Sequence, residues 1–235
     1  MQFVDAHCHL HFPRIANVVN TLIQSAKEQG VRYFAVNATS PEDFGWVDAI
    51  ADSNPEVIPF YGIHPYYLSE ETWETAFEEL EKRKDALRYI GEIGMDKLIV
   101  SRVPFSLQER CFKQQVHLAS LLSIPFAVHC VKCVPAVYSI LKEEGPFSSS
   151  FLMHGYAGPP DYVQKLADLG AYFSISGYLF NLSPKRRKAM EDTIRKYPLD
   201  RILLESDAPD MVGRVERRVR SSALRTQYRF LMKQV

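Results

Sequence analysis

Two histidines, two positions apart, follow a short apolar run at the start of the chain. His7 and His9 lie in the segment Val4–Leu10, which is typical of a buried β-strand. Alternate residues of a strand point to the same face, so the two imidazole rings can reach one point. Imidazole nitrogen is the commonest protein ligand for zinc-like metals. An isolated pair is more often structural, and the rest of the chain decides between the two interpretations.

Later apolar runs end in residues of the same kind. The additional candidates are His64, Glu92, His129, His154, Glu205 and Asp207. Five of the seven histidines therefore fall at predicted strand ends, where random placement would scatter them over helices and loops. Three or four imidazoles together with carboxylates suit zinc, manganese or related divalent ions. The pattern favours a metal centre over a set of unrelated structural histidines.

The elements that must position these residues alternate between strands and helices. The predicted strands are Phe3–Cys8, Arg32–Asn37, Val57–Ile63, Tyr89–Ile93, Phe126–His129, Phe151–His154, Tyr172–Ile175 and Ile202–Glu205. Amphipathic helical patterns separate them, as in Asn17–Gln29, Glu70–Lys84 and Leu107–Leu122. This alternation predicts an α/β fold, a (β/α)8 TIM barrel, with a doubly wound open sheet as the alternative. Active sites of such barrels lie at the C-terminal strand ends.

Length and composition fit one globular domain. The chain has 235 residues, of which 46% are hydrophobic, and its formal net charge is zero. We predict a single domain over residues 1–235, with an atypical basic segment at 210–235. The neutral charge argues against a protein held on nucleic acid by bulk electrostatics. Since neither a signal peptide nor a membrane span is evident, we expect a cytoplasmic protein (nuclear if eukaryotic) without membrane partners.

The number and spacing of the cysteines indicate no structural role for them. There are four, Cys8, Cys111, Cys130 and Cys133, too few for a disulfide scaffold. The last two form a C-x-x-C segment without a second pair, which does not favour a structural zinc site. We interpret all four as reduced thiols.

If two ions are bound, one carboxylate must bridge them. Glu92 is the natural candidate, because it lies across the predicted barrel from both histidine groups. Two ions about 4 Å apart clamp a phosphoryl oxygen and activate water, which indicates a phosphoryl-transfer or hydrolytic function.

Six motifs in chain order resemble the TatD family of metal-dependent deoxyribonucleases, which are amidohydrolase-type barrels. They are Asp5-x-His7-x-His9-Leu10, Gly62-Ile63-His64-Pro65, Gly91-Glu92-Ile93-Gly94, His129, His154-Gly155-Tyr156-x-Gly158 and Glu205-Ser206-Asp207-Ala208-Pro209. The resemblance runs from residue 3 to about residue 209. It implies hydrolysis of DNA phosphodiester bonds with two divalent ions (Mg, Mn or Zn). It also implies exonuclease action on single strands or ends, by a monomer.

The same resemblance implies the roles of the strand-end residues. One metal is expected on His7, His9, Glu92 and Asp207, and the other on Glu92, His129 and His154. Asp207, Glu92 and His64 are the expected catalytic residues, with Asp207 as the general base for water and His64 on the scissile phosphate. Glu205 and Asp5 are expected to orient the metal-ligating residues without binding the metal themselves.

Substrate contacts are assigned to His64, Tyr156 and Lys132. The family often has arginine two residues after the strand-5 histidine, where this chain has Val131, and Lys132 is the available replacement. The aromatic ring of Tyr156 could stack on an unpaired base.

The C-terminus departs from the family. After Pro209 the chain has a basic run between Arg214 and Arg229, where the family has a loop and two closing helices. This predicts an incomplete last helix, with a DNA-gripping arm as the alternative interpretation.

Two other functions stay open. The same metal centre on the same barrel could polarise a carbonyl and hydrolyse an amide or ester. Alternatively, the altered tail and the missing arginine could belong to an inactive barrel that serves as a binding protein. Cleavage of model substrates distinguishes an amide or ester hydrolase from a deoxyribonuclease. Metal content per chain distinguishes an inactive barrel from a metal-dependent enzyme.

Overall fold

Eight parallel strands alternate with seven α-helices in residues 2–210, the part of the chain that the computed structural model describes. The strands are β1 (Phe3–Cys8), β2 (Val31–Asn37), β3 (Val57–Phe60), β4 (Ile90–Asp96), β5 (Phe126–Val131), β6 (Phe151–Met153), β7 (Ala171–Ser176) and β8 (Ile202–Glu205). The helices are α1 (Val19–Glu28), α2 (Pro41–Ser53), α3 (Trp73–Glu81), α4 (Phe105–Leu122), α5 (Val134–Glu144), α6 (Val163–Asp168) and α7 (Pro184–Ile194).

The strands form two parallel sheets that adjoin as a TIM-type barrel. One sheet has the order β1-β2-β3, and the other has the order β4-β5-β6-β7-β8. Tyr61, just after β3, forms a parallel bridge with Ile90 of β4. At the other junction the backbone N–H of Asp207 donates to the carbonyl oxygen of His7 at 2.9 Å. The predicted α/β barrel is confirmed, whereas the predicted incomplete last helix and the basic run lie outside the described residues.

The helices cover the outer faces of the sheets with apolar side chains. In α4 the residues Phe112, Val116 and Ala119 are fully buried. Their spacing of four and three positions places them on one face, which is why this segment forms an amphipathic helix. Below the strand ends, Phe126 of β5 stacks on Phe151 of β6 with ring centroids 5.0 Å apart. This packing fixes the strands whose ends carry the polar residues.

Strand β4 extends three residues beyond its predicted end at Ile93. It pairs with β5 as far as Asp96, which lies opposite Val131. Because alternate residues share a face, the extension places Asp96 on the same side of the sheet as Glu92.

A close approach between β4 and β5 requires glycine at position 94. Gly94 has a φ of 146°, and a Cβ atom there would overlap the carbonyl oxygen of His129. We expect Gly94→Ala to lower the free energy of unfolding by about 3 kcal/mol or more. Gly45 lies within α2 with open space around its Cα, so Gly45→Ala is the control and should stabilise by about 0.5–1 kcal/mol. The midpoints of denaturant-induced unfolding measure both changes in stability. A Gly94→Ala midpoint equal to that of Gly45→Ala would contradict this interpretation.

Candidate metal centre

Glu92, at the end of the barrel where the strands finish, is the centre of a buried polar cluster. Its Oε2 atom lies 3.1 Å from Nε2 of His9 and 3.3 Å from Nε2 of His7. An oxygen of Asp207 completes this side, 3.5 Å from Nε2 of His9. The spacing of His7 and His9 along β1 therefore does bring both rings to one point, as the sequence predicts.

The other oxygen of Glu92 faces a second group of histidines. Its Oε1 atom lies 2.9 Å from Nδ1 of His129, 3.0 Å from Nε2 of His154 and 3.4 Å from Nε2 of His64. The two oxygens of one carboxylate thus face two different sets of imidazoles. A carboxylate placed in this way can bridge two cations.

The separations between these atoms fit coordination of divalent ions. Within residues 2–210, three groups have ligand atoms that all lie within 4.8 Å of one another: His7 with His9 and Asp207, His7 with Glu92 and His154, and His64 with Glu92 and His129. Ligand atoms about 2.1 Å from a tetrahedral ion lie roughly 3–3.5 Å from each other, close to the distances found here. Nitrogen and carboxylate donors of this kind suit zinc or manganese.

The far nitrogen of each ring determines which nitrogen can bind a cation. Nδ1 of His9 lies 2.8 Å from the carbonyl oxygen of Asn37. Since a carbonyl oxygen only accepts, Nδ1 carries a proton, and Nε2, toward Glu92, is the nitrogen that can bind a cation. Nε2 of His129 lies 3.3 Å from Oδ2 of Asp96, so Nδ1 is the nitrogen that faces the centre.

His64 has the opposite arrangement. Its Nδ1 accepts the backbone N–H of Tyr66 at 3.1 Å. Burial lowers the pKa of His64 to about 4, so the ring is neutral at pH 7 and its proton lies on Nε2. Nε2 faces the centre, and the neutral ring of His64 therefore presents a hydrogen-bond donor there.

Both carboxylates of the centre are ionised at neutral pH. Burial alone would raise the pKa of Glu92, but His64, His154 and His7 outweigh it and hold that pKa well below the usual range. For Asp207, burial is likewise outweighed by the hydrogen bond with His9 and by neighbouring imidazoles, which lower the pKa. Ionised oxygens are the form that binds cations.

Asp207 is held in an unusual backbone conformation by its neighbours. Its φ is 50°, in the left-handed region that few residues other than glycine adopt. The preceding residue, Ser206, donates its backbone N–H and its hydroxyl to Asp5, at 2.8 Å and 2.6 Å. Asp5 thus contributes to the centre by anchoring the turn that carries Asp207 to β1.

Glu205 contacts the far side of His154. Its Oε1 lies 3.5 Å from Nδ1 of His154, and its Oε2 accepts a hydrogen bond from Ser174. We expect Glu205→Gln to weaken metal binding by about 10- to 100-fold, because the amide orients the imidazole less well. Calorimetric titration with Mn²⁺ or Zn²⁺ measures this. Glu56→Gln, which alters a carboxylate paired with Lys27 outside the centre, is the control, and equal affinities for both variants would contradict the expected role.

Asp96 is a residue of the centre to which the sequence analysis assigned no role. Besides facing His129, its Oδ2 accepts the hydroxyl of Tyr66 at 2.9 Å. The sequence contains a signal that could have identified this residue. Glu92 and Asp96 are four residues apart, so they share a face if the strand continues as far as Asp96.

The structure contradicts the predicted substrate contact of Tyr156. This side chain is only 1% exposed and packs against Phe173 and Tyr197. Its hydroxyl donates to the carbonyl oxygen of Pro159 at 2.8 Å, which satisfies the polar end of the ring. Gly158 explains the placement, because any side chain there would collide with the Tyr156 ring.

Lys132 lies just beyond β5, on the same side of the barrel as the centre. It is exposed and adopts a left-handed backbone with φ of 56°. Its contact with substrate stays a prediction.

Among residues 2–210, no helix is both long and apolar enough to cross a membrane.

Comparisons with known proteins agree with this fold. The family model described as TatD related DNase matches residues 4–234. The uncharacterized metal-dependent hydrolase YjjV of Escherichia coli is 30% identical over 213 residues, 89% of this chain and 80% of that protein. Human deoxyribonuclease TATDN3 is 25% identical over 219 residues, 88% of this chain and 77% of that protein. The crystal structure of YjjV has a TM-score of 0.83 at 25% identity, covering 99% of this chain and 89% of that one.

Proposed function

Because the chain belongs to the TatD-related DNase family of metal-dependent hydrolases, we propose that it cleaves phosphodiester bonds of DNA. The observation that carries the proposal is the placement of Glu92, whose two oxygens face two separate groups of imidazoles. A centre of this kind suits the transfer of a phosphoryl group to water. The name of the human relative, a deoxyribonuclease, supports DNA as the substrate.

We assign the first ion to His7, His9, Glu92 and Asp207, and the second to Glu92, His129 and His154. When bound, two ions supply Lewis-acid stabilisation of phosphoryl oxygens and lower the pKa of water. The ionised carboxylate of Asp207 takes the proton of the attacking water, as a general base. His64 donates its Nε2 proton to a phosphoryl oxygen, which orients the phosphate and stabilises the charge that develops on it.

Aromatic side chains beside His64 support a substrate with unpaired bases. Tyr66 and Tyr67 are 43% and 53% exposed, immediately after the histidine that we assign to the phosphate. Exposed rings bind bases by stacking, which only unpaired bases permit. The guanidinium of Arg102 lies 5.2 Å from the ring centre of Tyr66. Its positive charge would attract the phosphate backbone of the DNA. We therefore propose action on single strands or at ends, as an exonuclease; the monomeric state stays a prediction.

Cleavage assays on several substrate classes test this function. The metal-loaded protein is incubated with single-stranded DNA, duplex DNA, and model amides and esters, with Mg²⁺, Mn²⁺ or Zn²⁺ added. We expect metal-dependent cleavage of DNA, faster on single strands, with release of mononucleotides. Turnover of an amide or ester without DNA cleavage would overturn the proposal in favour of the other hydrolase, and bound metal without any turnover would favour a binding protein.

A further inference from the structure

Two cysteine sulfurs lie together beside the metal centre, in the C-x-x-C segment that the sequence analysis left without a role. Cys130 belongs to β5 and directly follows His129, whereas Cys133 is the N-cap residue immediately before α5. Their Sγ atoms are 3.9 Å apart. A disulfide needs its two sulfurs about 2.05 Å apart, so the sulfurs must come closer by about 2 Å to be joined.

The turn between the two cysteines folds the chain back on itself. Lys132, with its φ of 56°, supplies the left-handed step that lets β5 and the start of α5 present both sulfurs to each other. A residue with a Cβ atom adopts this conformation only at a cost in free energy. The barrel therefore holds the two thiols in proximity, where independent cysteines would have to meet by chance.

The two thiols differ in access. Cys130 is partly exposed, whereas Cys133 is 4% exposed and donates its S–H to the carbonyl oxygen of Met95 at 3.1 Å. The other cysteines, Cys8 and Cys111, are completely buried. An external reagent that reaches a thiol of the folded protein will therefore meet Cys130 first, with Cys133 in position behind it.

We propose that Cys130 and Cys133 are a redox pair that forms a reversible disulfide by exchange with small-molecule disulfides such as glutathione disulfide. Cys130, the thiol that reagents reach first, gives up its proton and attacks one sulfur of glutathione disulfide, so a mixed disulfide forms, the original S–S bond breaks and one glutathione leaves. Cys133 then attacks the sulfur of Cys130 and expels the second glutathione. Two protein thiols are oxidised, one glutathione disulfide is reduced to two glutathiones, and the two cysteine protons pass to the leaving thiolates.

The position of the pair gives the disulfide a consequence for the centre. To join the sulfurs, Cys133, which donates to Met95, or Cys130, which directly follows His129, must move. We expect the oxidised protein to hold less metal on the histidine group that contains His129. This consequence rests on the proposed metal centre, whereas formation of the disulfide does not.

Equilibration in glutathione buffers tests the pair. The full chain is incubated at graded ratios of oxidised to reduced glutathione, quenched in acid, unfolded, alkylated and analysed by peptide mass spectrometry. We expect a Cys130–Cys133 linkage that increases with the oxidised fraction and disappears on reduction, while Cys8 and Cys111 stay fully alkylated. Glutathione adducts without the linkage, or two free thiols throughout, would overturn the proposal.

Two variants and a metal assay sharpen this test. Cys133→Ser should stop at the mixed disulfide on Cys130, and Cys130→Ser should stay unmodified, because its three remaining thiols are buried. Metal content is measured on the reduced and oxidised wild type after gel filtration. A lower content in the oxidised protein is expected, and an equal content would refute the link to His129. Because the linkage is read from thiols, its failure is distinguishable from a failure of the proposed hydrolysis.

Discussion

Replacing Glu92 with glutamine is expected to reduce kcat by about 10³-fold or more and to remove most of the bound metal. Glutamine has nearly the same shape but offers one neutral oxygen and one NH2 group. One of the two histidine groups would then face hydrogen-bond donors where it had faced a carboxylate oxygen. No other carboxylate of the described residues faces both groups, so this single change is expected to affect both candidate metal sites.

The Glu92 prediction is measured by DNA cleavage and by metal content on the same preparations. Glu56→Gln is the matched control, because it makes the same chemical change at a carboxylate away from the centre. Circular dichroism confirms that both variants fold. A Glu92→Gln protein with the metal content and kcat of the wild type would show that this carboxylate does not bridge the ions.

Replacing Asp207 with asparagine is expected to lower kcat by about 10² to 10⁴-fold, because an amide cannot take a proton from water. The effect on metal content should be smaller than for Glu92→Gln, since His7, His9 and Glu92 still face the same point. KM should change little, because Asp207 acts on the water and the substrate contacts lie elsewhere.

The matched control for Asp207→Asn is Asp200→Asn. The side chain of Asp200 is 83% exposed, on the segment that leads into β8, so its replacement should leave kcat unchanged. Full activity of Asp207→Asn would show that Asp207 is not the general base. A loss of metal equal to that of Glu92→Gln would show that Asp207 acts mainly as a metal ligand.

The sequence predicts the outline of the centre because the strand period determines it. His7 lies in β1 and His9 directly follows that strand, two positions on, so both rings point to one side. Parallel strands that form a barrel end at one rim, which is why these rings converge with Glu92. None of these inferences needs a long-range distance. The bounds of β1 and β8 agree with the prediction for the same reason, because each is a short apolar run that ends in polar residues.

Features set by long-range contacts could not be predicted in this way. The role of Asp96 depends on how far β4 pairs with β5, and pairing is a property of two distant segments. Whether Tyr156 points to the substrate or into the core depends on the space that Gly158 leaves for its ring. The donor role of His64 depends on one backbone N–H, that of Tyr66, which fixes the position of the ring proton.

The metal content of the wild-type protein tests the central claim most directly. The chain is stripped with a chelator, titrated with Mn²⁺ or Zn²⁺, freed of excess metal, and analysed by elemental mass spectrometry against protein concentration. A centre in which the two oxygens of Glu92 serve two ions predicts two equivalents per chain at saturation, with cleavage returning as the second site fills. Saturation at one equivalent, or no retained metal, would contradict it.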